Sequence, residues 1–181
     1  MIHKINTSEL REKISLLKVR DRVLLSGYIY TARDAAHSKF IEMLKNKQPL
    51  SINLNGAVIY YTGPTGTPKG LAIGSCGPTT SCRMDKFTPA LLDMGLICMI
   101  GKGDRNEEVK RAIVKNKAVY LCAVGGAGAL ACKCIKSSAV VAFPELGCES
   151  VKRLYAEDFP LIVAIDADGN DIFNKTKSSD T

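Results

Sequence analysis

The sequence predicts an α/β fold with a central parallel βαβ portion, on two observations. From Met84 to Phe143, helix-period stretches alternate with the short apolar runs LICMIG, AVYLCAV and AVVAF, the pattern of strands joined by crossover helices. On either side lie β-rich segments, RVLLSGYIY, GAVIYYTGP and GLAIGSCGP ahead and KRLYAEDFPLIVAIDADGNDIF behind. No internal repeat or long linker divides them. The expectation is therefore one domain over residues 1–181, long enough to bury roughly two-thirds of its unfolded surface without staples.

In chain order, SELREKISLL reads as a short amphipathic helix after a Thr7 or Ser8 cap, since its apolar residues recur at helical spacing. The charged start before it, with His3, reads as flexible. A strand over about residues 22–30 follows, then a polar helix over about 35–47 that stops before Pro49, where the chain must turn extended. GAVIYYTGP and GLAIGSCGP read as two strands joined by the Gly/Pro-rich TGPTGTPKG turn. Helices are expected over about 84–94, 106–115 and 127–135, interleaved with the three central runs. The last apolar stretch reads as two strands around a turn at Pro160, with a further turn at Asp168 to Asn170. The polar residues 174–181 read as a frayed tail.

Composition narrows the function. No apolar run reaches the length of a membrane span, and the N-terminus MIHKINTSELREK is charged where a signal peptide would be apolar, so a cytoplasmic protein is expected. The seven cysteines are odd in number and several sit in apolar runs, which reads as reduced thiols. Cys132 and Cys134 form a lone C-x-C with no second pair or nearby histidine, so no metal site is assigned to this chain. The net charge of +7, from 25 basic and 18 acidic residues, favours an anionic ligand or acidic partner. Dispersed cations and only 6% aromatics argue against nucleic acid.

Two phosphate-loop patterns are near misses. GPTGTPKG places Gly63 and Lys69 as a Walker loop would, but Pro68 removes a backbone N–H from the cradle and Gly70 replaces the magnesium-holding hydroxyl. AVGGAGALA matches a relaxed dinucleotide fingerprint at Gly126, Gly128 and Ala131, with Glu145 or Glu149 at ribose distance. It lies far along the chain, however, and an anion-facing helix start suits it better.

The remaining signals share one chemistry. GPTTSCRMD sets the hydroxyls of Thr79 and Thr80 and the guanidinium of Arg83 on a Gly-Pro turn before a helix, where unpaired N–H groups favour an anion. TARDAAH places Arg33, and MIGKGD places Lys102, just past strands. Ligands of parallel sheets sit at the carboxyl ends of the strands, so three cations and a hydroxyl are expected around one cleft, suited to a dicarboxylate. Asp34 and Asp85, each following one of these arginines, read as orienting groups. His37 reads as positioning Asp34 or Arg33.

TARDAAH, GPTTSCRMD followed by a Gly-Leu strand and GKG, the AVGGAGAL helix start and YAEDFPLIVAIDADGND, in that order from about Val23 to Ile172, resemble the β subunit or C-terminal domain of class I iron-sulfur fumarate hydratases. The β subunit of L(+)-tartrate dehydratase is similar. The resemblance implies a swivelling three-layer β/β/α domain and a site shared with an α subunit, which binds the 4Fe-4S cluster in place of this chain. It implies further that Arg33, Arg83 and Lys102 bind substrate and that Thr79 is the catalytic base or relay. Departures fall at Cys82, where the family has Gly, and at Asp104, where it has Asn and where a negative charge is expected to sit near Lys102.

The function implied is reversible hydration of fumarate to malate, active only with the α subunit. Tartrate dehydration is the alternative within the class. A non-catalytic nucleotide- or anion-binding module, carried by AVGGAGALA, is the alternative outside it, and a structural dimerisation module is weaker still.

Overall fold

Seven strands and five α-helices make up the computed structural model, which describes residues 1–123 and 127–174. The strands are β1 Ile2–Asn6, β2 Arg22–Thr31, β3 Val58–Tyr60, β4 Cys98–Gly101, β5 Val119–Ala123, β6 Ile135–Ala142 and β7 Val151–Ile165. The helices are α1 Leu10–Lys13, α2 Asp34–Lys45, α3 Thr88–Asp93, α4 Glu107–Asn116 and α5 Ala127–Cys134.

Strands β2, β3, β4 and β5 are mutually parallel. The βαβ reading holds for β4 and β5, but its third strand, β6, pairs antiparallel with β7 and does not neighbour β5. β7 runs antiparallel to β5 and also to β2, which closes the five strands into a small mixed barrel. β1 extends the sheet beside the first half of β2, and β6 beside the first half of β7.

Two cores follow from the period-2 alternation of side chains along each strand. Val23, Leu25 and Ile29 of β2, Val58 and Tyr60 of β3, Ile100 of β4, Leu121 of β5 and Phe159 and Val163 of β7 belong to the barrel's core. The alternate residues Ile59, Tyr61, Met99 and Tyr120 pack on the opposite face with Phe40 of α2, Leu91 and Leu92 of α3 and Val109 and Ile113 of α4. Burial on both faces explains why the central strands read as unbroken apolar runs. α4 shows how locally its sequence decides: the Asn106 side chain accepts from Val109 N–H, Glu107 and Glu108 occupy the first turn, and Lys117 ends the helix in the left-handed region.

Four further expectations need correction. The charged start is a strand: IHKIN pairs in parallel with β2, buries Ile5, and ties both the N-terminal ammonium and His3 Nε2 to Asp21. GLAIGSCGP is not a strand. Its backbone turns back on the preceding loop, with Thr65 N–H donating to the Ser75 carbonyl and the Tyr60 hydroxyl to the Cys76 carbonyl. The helix expected over 84–94 is split into a 3₁₀ turn, Ser81–Met84, and α3. Pro89 causes the split, because it fits the first turn of a helix that restarts at Thr88 but would cost an interior bond in a continuous one.

The fourth correction is the largest. Pro160 makes no turn: it lies within the 15-residue β7, opposite Leu24. Val163 exchanges both backbone bonds with residues 20 and 21 on the β2 side, so by alternation Pro160 directs its nitrogen to the other edge. On that edge β6 pairing ends at Ala156 and β5 pairing begins at Leu161. The missing N–H therefore faces a gap in the ladder and costs no bond. A bulge opposite Ser26, with Asp158 at φ 47°, bends β7 where it passes from one neighbour to the other. The tail expected over 174–181 lies, apart from Asn174, outside the described residues.

Candidate functional site

The carboxyl ends of β2, β3 and β4 all open on one rim of the barrel, because these strands are parallel neighbours. Arg33 stands two residues past β2 and Lys102 one residue past β4. Between them the segment from Thr79 to Ser81 continues the sheet beyond the strand ends. Thr79 N–H donates to the Tyr61 carbonyl at 2.7 Å, and Ser81 N–H donates to the Lys102 carbonyl at 3.0 Å. Thr80 bridges Lys102 in parallel register. Thr79 is half-buried, whereas Thr80 and Lys102 are exposed.

The two arginines of the rim are linked through consecutive residues. Arg33 Nε lies 3.1 Å from Glu149 Oε1. Asp34, the next residue, takes Arg83 in a fork, with Nε to Oδ1 at 3.1 Å and Nη2 to Oδ2 at 2.9 Å. Three cations thus stand against two carboxylates. Arg83 keeps half of its side chain open to solvent, so donors remain for an incoming anion. Thr80 sits at the cap of the 3₁₀ turn Ser81–Met84 that carries Arg83, but makes no side-chain cap bond, which leaves its hydroxyl outside any capping role.

Several roles differ from those read in the sequence. Asp34 orients Arg83 rather than its neighbour Arg33, and Asp85 orients neither. Asp85 takes Arg105 Nε at 2.6 Å in the interior and accepts Asn106 N–H at 2.8 Å. Glu149, read as a ribose ligand, partners Arg33. Asp104 pairs with Lys110, 3.3 Å distant. Gly63, read as part of a phosphate loop, gives Arg33 its seat: a Cβ there would stand 2.9 Å from Nη1. Cys82 is exposed on the rim.

His37 supports Arg33 as expected, but from inside the core. Its Nδ1–H donates to the Arg33 carbonyl at 2.8 Å, since a carbonyl can only accept. The ring stacks on Phe87 and meets Phe40 and Tyr61 edge-on. Burial pushes its pKa down to about 4, so it stays neutral. Arg105, Ser81 and Tyr120 also hold the site from beneath and were not singled out in the sequence. The available signals were a hydroxyl inside GPTTSCRMD and a phenol inside an otherwise apolar strand.

Of the AVGGAGALA pattern, residues 124–126 lie outside the described residues. Gly128 packs against the rim loop, and a Cβ on it would stand 3.0 Å from the Ser75 hydroxyl. The small residue here gives room for the rim loop.

The family model described as Fumarase C-terminus matches residues 2–176. Fumarate hydratase 2 of Leishmania major is 41% identical over 170 residues, which are 93% of this chain and 30% of that protein. The aerobic class I fumarate hydratase of Escherichia coli K12 is 40% identical over 169 residues, 92% of this chain and 31% of the relative. The putative L(+)-tartrate dehydratase subunit beta of Methanocaldococcus jannaschii is 39% identical over 171 residues, 91% of this chain and 88% of the relative. The chain therefore spans under a third of the two fumarate hydratases and most of the tartrate dehydratase subunit.

Proposed function

Because the chain belongs to the Fumarase C-terminus family, we propose that it is the β subunit of a cytoplasmic two-subunit hydro-lyase that reversibly hydrates fumarate to malate. Its partner in this reading is a cluster-bearing α subunit, against which residues 1–181 act as one swivelling three-layer β/β/α domain. The observation that carries the reading is the gathering of Arg33, Arg83, Lys102 and Thr79 on one rim. A relative named as a subunit beta, matched over 88% of its length, supports the two-chain form.

The chemistry asked of these residues is modest and specific. Removing a proton α to a carboxylate leaves charge that spreads onto the carboxylate oxygens, and fixed cations lower that barrier. The forked guanidinium of Arg83, oriented by Asp34, grips one carboxylate, and Arg33 and Lys102 add charge around it. A threonine hydroxyl is a very weak acid, so Thr79 serves as base or proton relay only with its pKa lowered by this positive surround. Among the described residues no group of three or more His, Cys, Asp or Glu is placed to hold a metal ion. They offer no seat for a 4Fe-4S cluster, which in this reading is the α subunit's.

Tartrate is the second reading, favoured by the name of the Methanocaldococcus jannaschii relative. The deciding experiment is anaerobic co-expression with the cluster-bearing partner, assayed on fumarate, malate and tartrate, with Thr79→Ala alongside. Activity that needs both chains and collapses in the variant is expected. A cluster-loaded complex inert to every diacid overturns the reading, and near-normal turnover by Thr79→Ala removes that residue's role.

A further inference from the structure

We propose that Ser81 and Tyr120 are positioning residues: a closed chain of hydrogen bonds through their hydroxyls locks the turn carrying Lys102 against the segment carrying Thr79. The proposal rests on the hydro-lyase reading of the same rim.

The direction of each backbone bond follows from what its partners can do. The Gly103 carbonyl only accepts, so the phenol of Tyr120 donates to it, at 2.8 Å. The same hydroxyl stands 2.9 Å from Ser81 Oγ, which also lies in line for the phenolic proton. The Ser81 oxygen in turn accepts Lys102 N–H at 3.1 Å. The chain begins and ends on adjacent residues, and Ser81 N–H closes it a second time onto the Lys102 carbonyl. Bonds in such a series polarise one another, so the loss of one weakens the rest.

The surroundings are shaped for this chain. Ser81 and Tyr120 are fully buried. A Cβ at residue 101 would collide with the Ser81 hydroxyl, so Gly101 leaves the space it occupies. Gly103 turns the backbone at φ 80°, in the region that favours glycine. The Tyr120 ring lies under the Arg105 guanidinium, 5.0 Å from ring centre to Cζ. Burial raises the phenol above its ordinary pKa, so it remains a donor throughout the physiological range.

Neither hydroxyl bonds the Lys102 ammonium or the Thr79 side chain. Both act through backbone register: Thr80 bridges Lys102, and Thr79 is pinned to Tyr61. Releasing the turn lets the ammonium drift relative to the hydroxyl, and a misplacement of about 1 Å costs on the order of a hundredfold in rate.

The test uses the complex with the α subunit. Tyr120→Phe keeps the ring under Arg105 and removes only the hydroxyl, and Ser81→Ala interrupts the same chain should the first variant fold poorly. Either change is expected to lower kcat/KM for fumarate about ten- to hundredfold. Amide exchange should rise at residues 101–104 and stay unchanged in β2 and β7. In a Lys102→Ala background, Tyr120→Phe should cost little more, which a merely structural role would not produce. Additive losses, wild-type kinetics or unchanged exchange overturn the proposal. A wild-type complex inert to fumarate, malate and tartrate removes the hydro-lyase reading and the positioning role with it, and the exchange data then still tell whether the chain holds the turn.

Discussion

Two aspartate–arginine pairs, Asp85 with Arg105 and Asp34 with Arg83, join the same residue types for opposite purposes. In the first, the side chains are 7% and 0% exposed and 2.6 Å apart. Arg105 spends its other donors on Thr88 and the Tyr61 hydroxyl and lies over two tyrosine rings. In the second, the side chains are 33% and 51% exposed and 2.9 Å apart. A buried pair must be fully satisfied, so it has nothing left for a ligand. An exposed pair contributes little to stability but keeps donors free and aimed. Burial, more than the identity of the pair, separates the scaffold arginine from the candidate ligand.

Removing the carboxylate from the buried pair gives the largest expected effect. Asp85→Ala strands the Arg105 charge and should destabilise the fold by about 3–5 kcal/mol, read by denaturant titration; a loss under about 1 kcal/mol would erase the distinction between the pairs. His37 sharpens the comparison, since its ring belongs to the buried side and its Nδ1–H to the rim. Its native pKa of about 4 lies below the unfolded value, so between about pH 6.5 and 4 the unfolded state binds the extra proton. Stability should therefore fall as pH drops through that window, by about 3 kcal/mol in all, and His37→Phe should flatten the slope.

On the exposed side, Arg83→Ala should cost about a hundredfold in kcat/KM for the complex, or about 2.7 kcal/mol. Its folding stability should change by less than about 1 kcal/mol. Asp34→Asn should act in the same direction and more weakly, raising KM more than it lowers kcat, because the guanidinium stays but loses its orienting fork. Equal stability losses from Asp85→Ala and Asp34→Asn would break the comparison outright.

The parallel pair β4 and β5, the helix between them and the places of Arg33 and Lys102 just past strand ends were legible in the sequence, because alternation of period and the strand-end rule are local signals. The aspartates were assigned to the wrong arginines because adjacency in sequence says little about which charge a carboxylate meets after burial. Gly63 and Gly128 fall in the two near-miss phosphate patterns, and each gives room to another part of the rim. Pro160 reads as a turn on any local rule. Only the change of neighbour along β7 shows why a strand can run through it.

That change of neighbour also orders events during synthesis. β2 pairs with β7 across register partners such as Arg22 and Ile162, so a strand made early waits for the last strand of the barrel. Until β7 emerges, the parallel strands have an open edge and the barrel's apolar residues have no closed interior, a state prone to association. So many distant pairings imply slow folding, with barrel closure the late step.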